Sequence, residues 1–124
     1  MCLISLQFYG GTTVCETGIE VAGKVVTRVS VRKDINLKNP MIVSEGNVFT
    51  IVSAKTLDEA VKSAVSEMVN FVGKHSNTGF EELVMLFSIV GHTEISQIVD
   101  PLVTARFRTP MNVLLKFGMP HDLF

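Results

Sequence analysis

Chemistry, if this chain performs any, has few side chains to draw on. Cys15 is followed by Glu16 and, five positions on, by Glu20. A nucleophilic thiol needs an adjacent base and a lowered pKa. The sequence offers carboxylates and no histidine or lysine neighbour, and a negative neighbour raises a thiol pKa. Cys15 therefore reads first as a structural cysteine. The histidines His75, His92 and His121 never adopt the i, i+4 spacing that places two ligands on one helical face. His75 falls in a loop between helices and His121 in the tail, both expected as solvated surface. His92 directly follows a helix stop, where a contact with the C-terminal dipole is expected.

Gly10, Gly11, Thr12 and Thr13 resemble a phosphate loop only superficially, since no closing Gly-Lys-Ser/Thr and no strand-to-helix context follow. Asp58, Glu59, Glu81 and Glu82 look like paired carboxylates. Each pair falls in a first helical turn, where it complements the macrodipole.

The elements that must position these groups follow from periodicity. Ile19 to Lys33 alternates, with Val21, Val25, Val29 and Val31 on one side and Lys24, Arg28, Ser30 and Arg32 on the other. That pattern predicts a long half-buried strand. Asp34 to Pro40 is a turn region. Met41–Val43 and Val48–Val52 are strand candidates joined by a hairpin turn at Glu45, Gly46 and Asn47. Thr56 and Glu59 form a capping box before an apolar stripe from Leu57 to Val72, with Gly73 as the expected C-terminal cap. Thr78 and Glu81 repeat the box before a second helix that runs to about Val90 and stops at Gly91. Its side chains leave almost no polar face, which predicts burial nearly all round. Ile95–Val99, Val103–Phe107 and Asn112–Phe117 are further strand candidates, and Gly118–Phe124 is a loosely tied tail. Strands, two helices and strands again specify an α+β fold, mostly antiparallel, with the helices on one face.

Bulk properties set the outer bounds. The 124 residues suit one domain. With 47% hydrophobic and 19% charged residues the chain can bury a core without staples. A net charge of −1 gives no electrostatic footprint for nucleic acid or an anionic membrane surface. Cys2 and Cys15 make no disulfide framework, and reduced thiols in the cytoplasm are the expectation. Met1 to Phe8 lacks the features of a signal peptide, and no apolar run reaches membrane-spanning length.

Four segments read in order resemble the C-terminal part of the acetamidase/formamidase family, hydrolases of small linear amides. They are Val14-Cys15-Glu16-Thr17-Gly18-Ile19-Glu20, running on through Val31; Leu57-Asp58-Glu59-Ala60-Val61-Lys62-Ser63-Ala64; Glu82-Leu83-Val84-Met85-Leu86-Phe87-Ser88 with Gly91; and Ile95-Ser96-Gln97-Ile98-Val99-Asp100-Pro101, continuing through Thr104 and Arg106 to Pro110. The resemblance covers about residues 14 to 115. It implies a division into a divergent segment 1–13, a family-like domain 14–117 and a tail 118–124.

The departures are specific. The family carries Gly-Asp-Gly-Glu directly before the Val-Cys-x-Thr-Gly-Ile-Glu stretch and a histidine slightly upstream. Here those positions hold Gly10, Gly11, Thr12 and Thr13, with Leu6 near the histidine position. Met1 to Thr13 reads as though a frame began or shifted there. Amide hydrolysis needs a nucleophile, an acid or base and oxyanion stabilisation. Of the matching groups Glu20 and Cys15 remain, and Glu20 serves equally well as a strand-end acid in an ion pair. The resemblance therefore implies a truncated amide hydrolase, inactive alone, with a small amide as substrate where active. It leaves the cofactor unknown and admits a divalent metal in the full-length family. The alternative is a non-catalytic α+β module that oligomerises through apolar faces, most simply as a homodimer. A small-ligand binding domain has no positive signal.

Overall fold

The computed structural model describes residues 4–5 and 20–123. Its centre is an antiparallel sheet of four strands: β3 (Met41–Ser44), β4 (Asn47–Ala54), β5 (His92–Gln97) and β6 (Val103–Pro110), in the spatial order β3-β4-β6-β5. Two short strands, β1 (Ile4–Ser5) and β2 (Glu20–Val21), pair separately. Three helices follow the sheet's connectivity: α1 (Leu57–His75), α2 (Phe80–Val90) and α3 (Met111–Lys116). The α+β expectation holds.

The hairpin β3–β4 forms as the sequence predicts, through the two residues Glu45 and Gly46, both at positive φ (48° and 72°). Such a turn matches the natural twist of paired strands. Register then assigns faces. Val48, Thr50 and Val52 on β4 and Ala105, Phe107 and Thr109 on β6 are buried under the helices. With Ala64, Met68, Val72, Leu83, Phe87, Leu114 and Met119 they complete one apolar core.

Helix α1 is capped as expected, with Thr56 Oγ1 accepting from the Glu59 N–H at 3.2 Å. It does not stop at Gly73. It continues to His75: Gly73 does not take the left-handed φ of a cap, and a Cβ added there would lie 3.5 Å from Leu83 Cδ1. Helix α2 starts at a Gly79 cap without a side-chain bond, since Thr78 donates instead to the Phe117 carbonyl at 3.0 Å. The second capping box is thus replaced by a tie between α2 and the end of α3.

Four further expectations change. The alternating segment ends as a strand at Val21; residues 22–33 are exposed and lie in no strand, since none of the described strands offers them a ladder. Asn112–Phe117 lies largely within α3 rather than a strand. Its apolar run is too short to fix a period, and Gly118 (φ 88°) closes the helix with Gly118 N–H to Leu115 O and Met119 N–H to Leu114 O, both 3.2 Å. The tail is consequently held, with Met119 in the core. Helix α2 is not buried all round: only Leu83 and Phe87 are buried, while Phe80, Val84, Met85 and Ile89 are exposed.

Candidate functional site

The chemistry-bearing residues expected from the sequence are not assembled by the described elements. Cys15 and the segment Gly10 to Thr13 lie outside the described residues. The backbone of Glu20 lies in β2, opposite Ser5. His75 is not free surface: its ring lies 4.7 Å from that of Phe71, and its Nδ1 is 2.8 Å from the Phe71 carbonyl oxygen. A carbonyl only accepts, so Nδ1 carries the proton. His92 opens β5 opposite Arg108, and His121 lies exposed in a 3-10 turn. Asp58, Glu59, Glu81 and Glu82 occupy first helical turns, and Asp58 also binds Lys62 at 2.7 Å.

The densest polar cluster lies on the sheet face opposite the helices. Strand alternation sends Phe49, Ile51, Glu94, Arg106 and Arg108 to that face while their neighbours enter the core. Glu94 faces Arg106 in register and reaches Arg108 diagonally. Arg106 Nε donates to Glu94 Oε2 at 2.6 Å, and Arg108 Nε donates to Oε1 at 2.8 Å. Arg108 Nη1 also donates to Asn47 Oδ1 at 3.3 Å, and the Arg106 guanidinium lies 5.4 Å from the Phe49 ring centroid. The cluster ties three strands together.

Its electrostatics define its chemistry. Partial burial pushes the Glu94 carboxyl up. Hydrogen bonds from Arg108 and Arg106, with their charges, outweigh that push and hold it below the ordinary value. A carboxylate stabilised in its charged form with both oxygens engaged is a poor proton acceptor. The cluster is a structural cross-strand lock. Arg106 is not among the site residues expected from the sequence, although Arg-x-Arg on one strand opposite a glutamate on its neighbour is a readable signal.

Gln97 organises the adjoining loop. Its Oε1 accepts from the Val99 and Asp100 N–H groups at 2.9 and 3.0 Å, and its Nε2 donates to Thr104 Oγ1 at 3.0 Å. Among the described residues no group of three or more His, Cys, Asp or Glu side chains is placed to hold a metal ion. The donor set present there does not fit a divalent metal. Nor is any helix of the described residues long and apolar enough to cross a membrane.

No protein-family model matches the chain, and no curated protein matches it significantly. Solved structures do. A predicted acetamidase/formamidase from the thermophile Thermoanaerobacter tengcongensis superposes with a TM-score of 0.68 and 44% identity, over 71% of this chain and 29% of that one. The chain is similar to part of an acetamidase/formamidase. The acetamidase from Bacillus halodurans agrees, with a TM-score of 0.62 and 38% identity over 64% of this chain and 27% of its own. An acetamidase from Yersinia enterocolitica, 22% identical with a TM-score of 0.63 over 66% of this chain and 25% of its own, shares the fold. The match therefore spans under a third of each acetamidase/formamidase relative. The Glu94–Arg106–Arg108 lock belongs to the four-stranded sheet.

Proposed function

We propose that this chain supplies the α+β part of an amide hydrolase acting on carbon–nitrogen bonds of small linear amides, and that it does not turn over amides alone. The observation that carries the reading is the 44% identity to the Thermoanaerobacter acetamidase/formamidase across 71% of the chain. The second half of the reading rests on chemistry. The described side chains offer no proton acceptor held ready near a nucleophile, and the Glu94 carboxylate is locked by two arginines. The domain's role is then to build a wall of the site and hold it rigid, with the reacting groups supplied by other residues.

Two assays test this together. The purified chain is expected to release no ammonia from formamide or acetamide above a mock purification. A chimera of the Bacillus halodurans acetamidase, carrying this chain's residues over the matched region, is expected to release ammonia from acetamide. A folded chimera without turnover contradicts the amide-hydrolase reading. Turnover by the chain alone that is lost in Glu20→Gln contradicts the requirement for other residues.

A further inference from the structure

The sheet face opposite the helices holds more positive charge than its own residues neutralise. Pairing in register sets Arg108 between Phe49 and His92, and Arg106 between Ile51 and Glu94, all on that face. The four strands carry one acid between them, Glu94, against two arginines. Glu45, in the β3–β4 turn, pairs with neither guanidinium. One carboxylate shared by two guanidiniums leaves a surplus positive charge on the face.

That charge is not freely solvated. The side chains of Arg106 and Arg108 are 19% and 26% exposed, and that of Glu94 is 29% exposed. A largely buried charge is unfavourable unless its partners are complete. An anion that completes them is therefore held more firmly than at an open surface, where water screens the pair.

The remaining donors have a definite geometry. Both arginines commit Nε to Glu94, and Arg108 commits Nη1 to Asn47. Among the described residues, both Nη groups of Arg106 and Nη2 of Arg108 have no hydrogen-bond partner. Since the two Nε groups reach one carboxylate, the free ends are close neighbours. The paired Nη groups of a guanidinium form a planar fork that matches the two oxygens of a carboxylate. Apolar surface adjoins it: the Phe49 ring centroid lies 5.4 Å from the Arg106 guanidinium, and Ile51 faces Arg106 across the ladder. A surplus of one charge matches a monoanion better than a phosphate dianion.

We propose that the Arg106–Arg108 face binds a short-chain carboxylate, its oxygens on the free Nη donors and its alkyl group against Phe49 and Ile51. Glu94 and Asn47 keep the two forks oriented. A carboxylate is the acid left when a linear amide is hydrolysed. The face is then a product-binding surface, a meaning that rests on the amide-hydrolase reading, whereas the binding itself needs no turnover.

The test is a titration of the isotope-labelled full chain in carboxylate-free buffer at neutral pH, following the arginine Nε–H signals by NMR. Acetate is expected to move the Arg106 and Arg108 signals in a saturable one-to-one titration with millimolar affinity. Acetamide, of the same size and uncharged, is expected to move neither, and phosphate to bind about tenfold more weakly than acetate. Arg106→Lys keeps the charge and removes the fork, and is expected to weaken acetate about tenfold. The contrast between acetate and acetamide is read on the unaltered chain, so it decides the matter even where the variant does not fold.

No saturation by acetate, an equal response to acetamide, phosphate binding as tight as acetate, or unchanged acetate affinity in a folded Arg106→Lys each overturns the proposal. Binding is read here without catalysis. Failure of acetate to bind is therefore distinct from failure of the chimera to hydrolyse acetamide.

Discussion

At the scale of single residues the molecule is governed by how polar atoms are matched. Glu94 is the clearest case. Its pKa is held below the unfolded value by two arginines, so the folded state binds fewer protons than the unfolded one as pH falls. The stability it contributes is complete above the unfolded carboxylate pKa and is lost as pH drops through the depressed folded value. Glu94→Gln is expected to remove that part of the acid dependence and to cost about 1–2 kcal/mol at neutral pH, read from urea melts at several pH values.

The two buried threonines of the sheet test the same principle with opposite signs. Thr50 Oγ1 donates to the Ala64 carbonyl at 2.7 Å, whereas the buried Thr109 hydroxyl has no partner among the described residues. Thr109→Val is expected to raise stability by about 1 kcal/mol, and Thr50→Val to lower it by about as much. Equal effects in the two would contradict the assignment. Neither threonine is distinguishable from sequence, because the hydroxyl's partner is set by tertiary approach. Even His75, on the last turn of α1, gains its Phe71 contacts only from that helix's continuation past Gly73.

At the scale of elements, glycines show why local pattern was partly legible. Gly73 and Gly91 both read as helix stops in the sequence. Gly91 does end α2, at φ −81°, and its role is spatial: a Cβ there would overlap the Phe107 ring edge and the Phe87 carbonyl. Gly73 lies within α1, where a Cβ would make ordinary contact with Leu83. Gly91→Ala is expected to cost about 2–3 kcal/mol by overpacking the edge-to-face Phe87–Phe107 pair. Gly73→Ala is expected to gain roughly 0.5–1 kcal/mol from helix propensity. Thermal melts of the two variants check the contrast.

The hairpin at Glu45–Gly46, the first cap at Thr56 and the end of α2 were readable because each signal is local. The helix α3 was missed because its signal is a closing motif, Leu114 to Gly118–Met119, rather than a period. The long strand over 19–33 was read from true alternation, but a ladder needs a partner that periodicity cannot supply.

At the scale of the whole molecule, the four-stranded sheet and its helices share one core, and among the described residues the candidate functional groups are not brought together. The ordered resemblance to acetamidases and formamidases was legible from four dispersed segments, three of which became the start of α1, the body of α2 and the β5–β6 unit. The first, around Cys15 and Glu20, carries the only residues with an assigned catalytic possibility, and the described side chains include neither. Arg106, inside the fourth segment, is engaged in locking strands together, a role whose signal is the Arg-x-Arg pattern facing Glu94. On the function proposed above, stability and chemistry are divided between different segments of polypeptide.

The most direct measurement of that division is ammonia release from acetamide by the chain alone and by the Bacillus halodurans chimera, assayed side by side. The account predicts no turnover above background for the chain and clear turnover for the chimera. A folded, monodisperse chimera that releases no ammonia would contradict it, as would a chain that hydrolyses acetamide unaided and loses the activity in Glu20→Gln.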